Sequence, residues 1–427
     1  MSRSRMTAAI AAVSAGALAI GLSACSGGGD GASSGTASAE GGSGKMTMAI
    51  SQSADSNIRK VFQELIDGFQ SANEGVTIEL LPATNNYEGD MKVKMAAQDL
   101  PDIFATHGWS VKRYGPFLEN LSNESWAADV NPMLDASMKD EEGNLYAFPS
   151  EVDMYGLTYN SDVLAEAGVD PASIDSWDSF NAACDKVIAK GKACIYAGAK
   201  DAGWPGNIAN LMAPGAYTEA DLDSLLEGTF PQEPWKNLSQ RVVDWREKGY
   251  FNKDYVSASP DDMARALAQA DTAFTFTQPT VAAEALSYNP DAKIAYIPIP
   301  ADVGDNYTIG GEGLNALGVA KNGDVANAKK FLEYLAQPEN AAKLVDGTGN
   351  PSGLESVKTD LGPLQESFNK VQEAGVPLVS YFDRVYMPNG SWSTMCTAMD
   401  SLVTGQGDAD ASVKMVEAEY KALFGQE

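Results

Sequence analysis

Apolar residues recur along this chain at helical spacing and then at strand spacing, in alternation. Ile58, Val61, Phe62, Leu65, Ile66 and Phe69 fall on one helical face. Asp55 or Ser56 stands where a cap is needed, and Gly75 is the stop. Before this helix, 46–51 reads as a strand; after it, 76–81 reads as a second. A helix is predicted over 87–99, Pro101 breaks it, and 101–105 is a third strand. This βαβαβ opening predicts a largely parallel sheet covered by helices.

The alternation recurs downstream. Helix 176–190 precedes strand 194–199, and helix 238–248 precedes strand 273–276. Residues 294–297 form another strand, and 324–336 a helix with Val325, Ala328, Phe331, Leu332 and Leu335 inward. No short repeat is visible. With 427 residues, two α/β lobes are the natural reading.

The N-terminus departs from this pattern. Arg3 and Arg5 precede a small-residue apolar run, residues 7–22, too short and too rich in Gly and Ala to span a membrane. Leu22-Ser23-Ala24-Cys25 follows and resembles the bacterial lipobox, in which the cysteine is acylated and begins the mature chain. Residues 1–24 are thus expected to be a signal peptide, with Cys25 lipidated. Residues 26–44 hold no large apolar side chain and predict a flexible Gly/Ser tether with a span of roughly 25 Å. The chain is then anchored to a membrane rather than spanning it.

Charge narrows the chemistry. The formal net charge of −28 becomes −30 once Arg3 and Arg5 leave with the leader. No basic footprint for nucleic acid is present. His107 is the single histidine, which speaks against a His-rich metal site and a His-paired nucleophile. No metal or cofactor is expected. A solvated monomer with a neutral or cationic small ligand fits the acid excess.

Export places the cysteines in an oxidising setting. Cys184 lies on a helical face with Trp177, Phe180, Val187 and Ile188, and Cys194 begins the next strand. A helix folding back on that strand brings the two sulfurs together; two reduced core thiols are the alternative. Cys396 is left over and is expected to be a buried thiol.

In order along the chain, several segments resemble the extracellular solute-binding proteins of ABC importers, in the carbohydrate-binding family that includes maltose-binding protein. They are the lipobox and tether, Phe62-x-x-Leu65-x-x-Gly68-Phe69 with Gly75-Val76-x-Ile78, and Met95-Ala96-Ala97-x-x-Leu100-Pro101-Asp102-Ile103. Tyr146-Ala147-Phe148-Pro149 through Gly156-Leu157-x-Tyr159-Asn160 is similar to the segment crossing between lobes. Ser176-Trp177-Asp178-x-Phe180, Ala273-Phe274-Thr275-Phe276-Thr277 and the helix 328–335 complete the set. One departure stands out: Gln278-Pro279 occupies the place where many members have Gly-x-Trp.

The resemblance implies a type II two-lobe fold, each lobe a mainly parallel sheet covered by helices, with ligand in the cleft between them. Lobe one maps to residues 45–150 plus 312–351, and lobe two to 151–311 plus 352–427. The lobes close by hinge motion, and the closed form docks on membrane permease subunits. The implied function is capture of a sugar, in particular an oligosaccharide. A secreted glycoside hydrolase, or a receptor for a non-sugar such as a polyamine or peptide, remains the alternative.

A sugar has apolar C–H faces and hydroxyl edges, so its site needs flat aromatics and fixed donors and acceptors. His107 and Trp109 follow a lobe-one strand, where loops face a ligand crevice. Glu151, Asp153 and Tyr155 lie at the lobe crossing; the two carboxylates share a face and suit either vicinal hydroxyls or a role in the hinge. Lys200, Asp201 and Trp204 sit on a turn held before Pro205, and a similar segment lines the cleft in the family. Gln278 follows a strand, and Glu312 projects from a Gly-rich crossing. Tyr381, Asp383, Arg384 and Trp392 lie in an aromatic-rich stretch near the C-terminus, for which lobe-two packing is the other reading.

Overall fold

The computed structural model describes residues 44–425 except 53, 55, 85, 86, 107–109, 201, 202, 314 and 347. The leader, Cys25, His107, Trp109 and Asp201 therefore lie outside the described residues. Helix Asn57–Ala72 is capped by Ser56, whose hydroxyl accepts from the Arg59 N–H, and it buries Phe62, Leu65, Ile66 and Phe69. The first strand is Gly44–Ala49, two residues earlier than its apolar pattern suggests. Gly44, assigned above to the tether, pairs with Val76, and its N–H reaches the Gly75 carbonyl at 3.0 Å.

A five-stranded sheet forms around this start, in the order 76–80, 44–49, 103–105, 316–319 and 147–149. Its first three strands are parallel, and 316–319 runs antiparallel to both neighbours. Asp102 fastens one end. One carboxylate oxygen accepts from the Thr47 N–H at 2.7 Å, and the other accepts from the Asp324 N–H at 2.7 Å. Asp324 in turn caps helix Val325–Leu335, so one side chain fixes two strands and the returning helix.

A second sheet holds four strands in the order 193–195, 272–275, 157–160 and 294–297. Helix Trp177–Ile188 covers it, started by a reciprocal cap between Ser176 and Ser179. Its buried face carries Trp177, Phe180, Ala183, Cys184 and Val187. Cys184 and Cys194 are disulfide-bonded, and Cys396 is a buried free thiol. Helix Gln232–Glu247 begins six residues before Leu238, the start predicted from the sequence. Pro234 sits in its first turn, where a missing N–H costs nothing, and Trp235 extends the buried face.

A third, small sheet connects the other two. Strand Thr308–Glu312 runs antiparallel to Val152–Tyr155 and parallel to Leu378–Ser380. The Val152 N–H donates to the Pro351 carbonyl at 2.9 Å, and Glu151 bridges to Ser352. Three passages of the chain therefore run side by side near residues 151, 312 and 351. One contiguous core joins Met46, Phe62 and Phe331 of the first sheet's layer to Val152 and Met154 of this crossing, and reaches Leu267 and Val281. Among the described residues, no helix is long and apolar enough to cross a membrane.

Candidate functional site at the chain crossings

Strand geometry puts Glu151 and Asp153 on one face of the first passage. Both are buried, and a single amide from the third passage serves them. Asn350 Nδ2 donates to Glu151 Oε2 at 3.1 Å and to Asp153 Oδ1 at 2.8 Å. The second passage closes over Glu151: a Cβ on Gly313 would stand 2.2 Å from Glu151 Cγ, so only glycine fits there.

The segment after strand Leu378–Ser380 supplies the rest. The Tyr381 hydroxyl donates to Asp153 Oδ2 at 2.8 Å. The Arg384 guanidinium lies 4.0 Å above the Tyr381 ring. Its Nη1 donates to the Glu312 carbonyl at 2.5 Å and sits 3.4 Å from Glu312 Oε1. Among the described residues, neither carboxylate oxygen of Glu312 has a hydrogen-bond donor, although the residue is only 1% exposed. Tyr155 packs against Tyr381 with ring centroids 6.1 Å apart.

Burial sets the electrostatics here. It pushes the Asp153 carboxyl above its ordinary range, against the pull of Arg384, Tyr381 and Asn350. It also pushes the Tyr155 and Tyr381 phenols up. Burial works against the Arg384 cation, but Glu312, Tyr381, Asp383 and Asp153 together hold its pKa above the ordinary value. The site is thus a fixed cation set among carboxylates, with neutral phenols as hydrogen-bonding groups.

A second group of residues continues from it. The Asp383 N–H donates to Asn210 Oδ1 at 3.0 Å, on the buried helix Gly206–Met212. At the start of that helix, a Cβ on Gly206 would stand 2.9 Å from the Trp392 ring. Trp392 Nε1 also lies close to Gly203, so Trp392 meets the turn that carries Trp204. Both tryptophans are half-buried. Beneath them the Cys396 thiol donates to the Gly203 carbonyl at 3.4 Å.

The structure therefore brings Glu151, Asp153, Tyr155, Glu312, Tyr381, Asp383 and Arg384 into one cluster, with Trp392 beyond it against the turn that carries Trp204. Lys200 is exposed, held through its backbone N–H to Ala258. Gln278 precedes helix Pro279–Tyr288, half-buried, and shares no hydrogen bond with the cluster among the described residues. Asn350, Asn210 and Leu226 escaped the sequence reading. Asn350 had a signal, since it lies beside Pro351, where the chain recrosses; Asn210 and Leu226 had none. Among the described residues, no group of three or more His, Cys, Asp or Glu side chains could hold a metal ion.

A cavity of about 590 Å³ opens beside the cluster, with Glu312 and Arg384 in its lining. Its other walls come from both sides of the crossing: Val111 and Lys139 on one, Leu226 and Val385 on the other. Cavities of this size with a few convergent polar groups are where small polar molecules bind in folded proteins, which makes this one the candidate site.

Residues 64–368 match the family model described as bacterial extracellular solute-binding protein. The chain belongs to that family. Over 388 residues it is 31% identical to the melibiose/raffinose/stachyose-binding protein MelE of Bacillus subtilis strain 168, covering 88% of this chain and 89% of MelE. A Bacillus subtilis binding protein solved in an open conformation superposes with a TM-score of 0.81 at 29% identity, over 90% of this chain and 98% of its own. A Bacillus licheniformis sugar transporter protein in complex with stachyose gives a TM-score of 0.80 at 27% identity, over 89% and 100%. The fold of this solute-binding protein is accordingly the two-lobe, type II arrangement of sheets flanked by helices, but the sheets are mixed rather than mainly parallel as the sequence suggested: of the nine strand pairings among the described residues, four are parallel and five antiparallel.

Proposed function

We propose that this solute-binding protein captures an oligosaccharide between its lobes and delivers it to an ABC importer. The observation that carries this reading is the 31% identity to MelE along 388 residues. The crossing cluster supports it. A neutral, hydroxylated ligand suits a cavity that offers carboxylate acceptors, a guanidinium and aliphatic side chains.

In this reading lobe one comprises residues 44–150 plus 312–351, and lobe two comprises 151–311 plus 352–427. The residues divide by the partners they already have. Glu151 and Asp153 spend acceptor capacity on Asn350 and Tyr381, so they brace the hinge. Glu312, Arg384, Trp204 and Trp392 are assigned to the ligand, with Tyr155, Tyr381 and Asp383 holding them in place. His107, Trp109, Lys200, Asp201 and Gln278 belong to the loops around the cleft. Cys25 carries the lipid, the body works at the extracellular face of the membrane, and permease subunits receive the closed form. The protein acts as a monomer without a cofactor, and it binds rather than cleaves.

Titration calorimetry with melibiose, raffinose and stachyose tests the reading, with the same samples chromatographed for products. Saturable heat without new products is expected. Hydrolysis products would sink the receptor assignment, and no heat with any of the three sugars would sink the oligosaccharide.

A further inference from the structure

The cavity at Glu312 has a chemistry more specific than a general sugar cleft. As a carboxylate Glu312 only accepts; it is 1% exposed and, among the described residues, neither oxygen receives a hydrogen bond. A buried carboxylate in that state calls for donors. Arg384 supplies charge but little more: its Nη1 is spent on the Glu312 carbonyl, and its plane lies on Tyr381. Two carboxylate oxygens side by side match two neighbouring hydroxyls.

Part of the wall is aliphatic. Leu226 is 47% exposed at the end of helix Glu219–Leu226, and it lines the cavity with Val385 and, from the other lobe, Val111. Such a surface suits the C–H face of one sugar ring. The mouth is acidic: residues 140–142 are Asp, Glu, Glu, and the adjacent Lys139 is ion-paired to Asp135 at 2.6 Å. The lining sets the acids Asp140, Glu141, Glu142 and Glu312 against the bases Lys139 and Arg384, so its acid excess opposes an anionic ligand group.

Building on the oligosaccharide reading, we infer that this cavity is an end subsite. It takes one neutral terminal pyranose, with neighbouring hydroxyls on Glu312 and a C–H face on Leu226 and Val385. The remaining rings then extend toward Trp204 and Trp392. The subsite selects for an uncharged terminal ring and rejects a uronate or phosphorylated one.

The test uses raffinose and raffinose whose terminal galactose carries a C6 carboxylate, titrated into the full chain by calorimetry. Wild type is expected to bind the oxidised sugar at least tenfold more weakly than raffinose. Glu312→Gln should weaken raffinose at least tenfold, yet narrow the gap between the two sugars, which a merely structural residue would not do. Leu226→Asp, at a position 47% exposed, should weaken raffinose and widen the gap in a variant whose denaturation midpoint matches wild type. Equal binding of the two sugars by wild type would overturn the subsite while leaving the receptor reading intact. Raffinose affinity unchanged in the Leu226 variant would do the same. If raffinose gives no heat, stachyose oxidised at the same carbon replaces it. Silence from melibiose, raffinose and stachyose alike is the distinct failure of the receptor reading, and the subsite falls with it.

Discussion

The Tyr381 hydroxyl donates to Asp153 Oδ2 at 2.8 Å, across 228 positions of sequence. This bond ties the segment that carries Arg384 to the first crossing strand. Tyr381→Phe keeps the ring beneath Arg384 and removes only the donor. Asp153 is 4% exposed, so water cannot easily replace it. The expected loss is about 1–3 kcal/mol of stability, read from the midpoint of urea denaturation. An unchanged midpoint would mean that the bond carries no net stability.

The same carboxyl predicts a pH dependence. Burial raises the folded pKa of Asp153 above its unfolded value. The native state therefore holds a proton that the unfolded state has released, within the window between the two pKa values. Its contribution is fully present below the ordinary carboxylate range and is lost as pH climbs through the folded pKa. Asp153→Asn removes this dependence. The stability of wild type relative to that variant should fall as pH rises from about 4, by up to about 1.4 kcal/mol per pH unit. Denaturation series at stepped pH measure it, and a difference that is flat or rises with pH contradicts the assignment.

Trp204 offers a direct test of the aromatic wall. Its turn meets Trp392, and both rings are half-buried, which leaves part of each face open. Trp204→Ala should weaken oligosaccharide binding by about 1–3 kcal/mol if the ring stacks on sugar. Unchanged affinity in a folded variant removes Trp204 from the site. Gln278→Ala is the contrasting substitution: a side chain outside the buried cluster should change affinity by less than about 1 kcal/mol.

The helices and strands announced by the sequence were legible because apolar periodicity and capping agree locally, whereas the mixed direction of the sheet strands was not. Ser176 and Asp324 cap the helices their patterns announce. The helix with Pro234 in its first turn was not legible in full, because a proline reads as a break unless its position in the helix is known. The candidate site was legible as residue types near lobe crossings, and Glu312, Tyr381 and Arg384 do converge. What each contacts was not. The two carboxylates at 151 and 153 look alike in the sequence to the carboxylate at 312, which has an ion pair with Arg384 but, among the described residues, no hydrogen-bond donor. Only the donors brought in from Asn350 and Tyr381, about 200 residues away, separate them. Leu226 carries no sequence signal at all, since a leucine at a helix end is ordinary until a cavity is found beside it.

Cys184 and Cys194 give the last prediction. Their bond closes a short loop, ten positions apart in sequence, so its effect on the unfolded chain is limited. Reduction should cost at most about 3 kcal/mol, seen as a lower denaturation midpoint with reductant. Cys396 supplies the internal control. Burial pushes its thiol up to about 12, so it resists alkylation in the folded protein at neutral pH. In denaturant without reductant, mass spectrometry should find Cys396 as the one alkylated cysteine among these three. With reductant, all three should be labelled. Alkylation of Cys184 and Cys194 without reductant would show that they do not pair in the exported protein, and the midpoint should then ignore reductant as well.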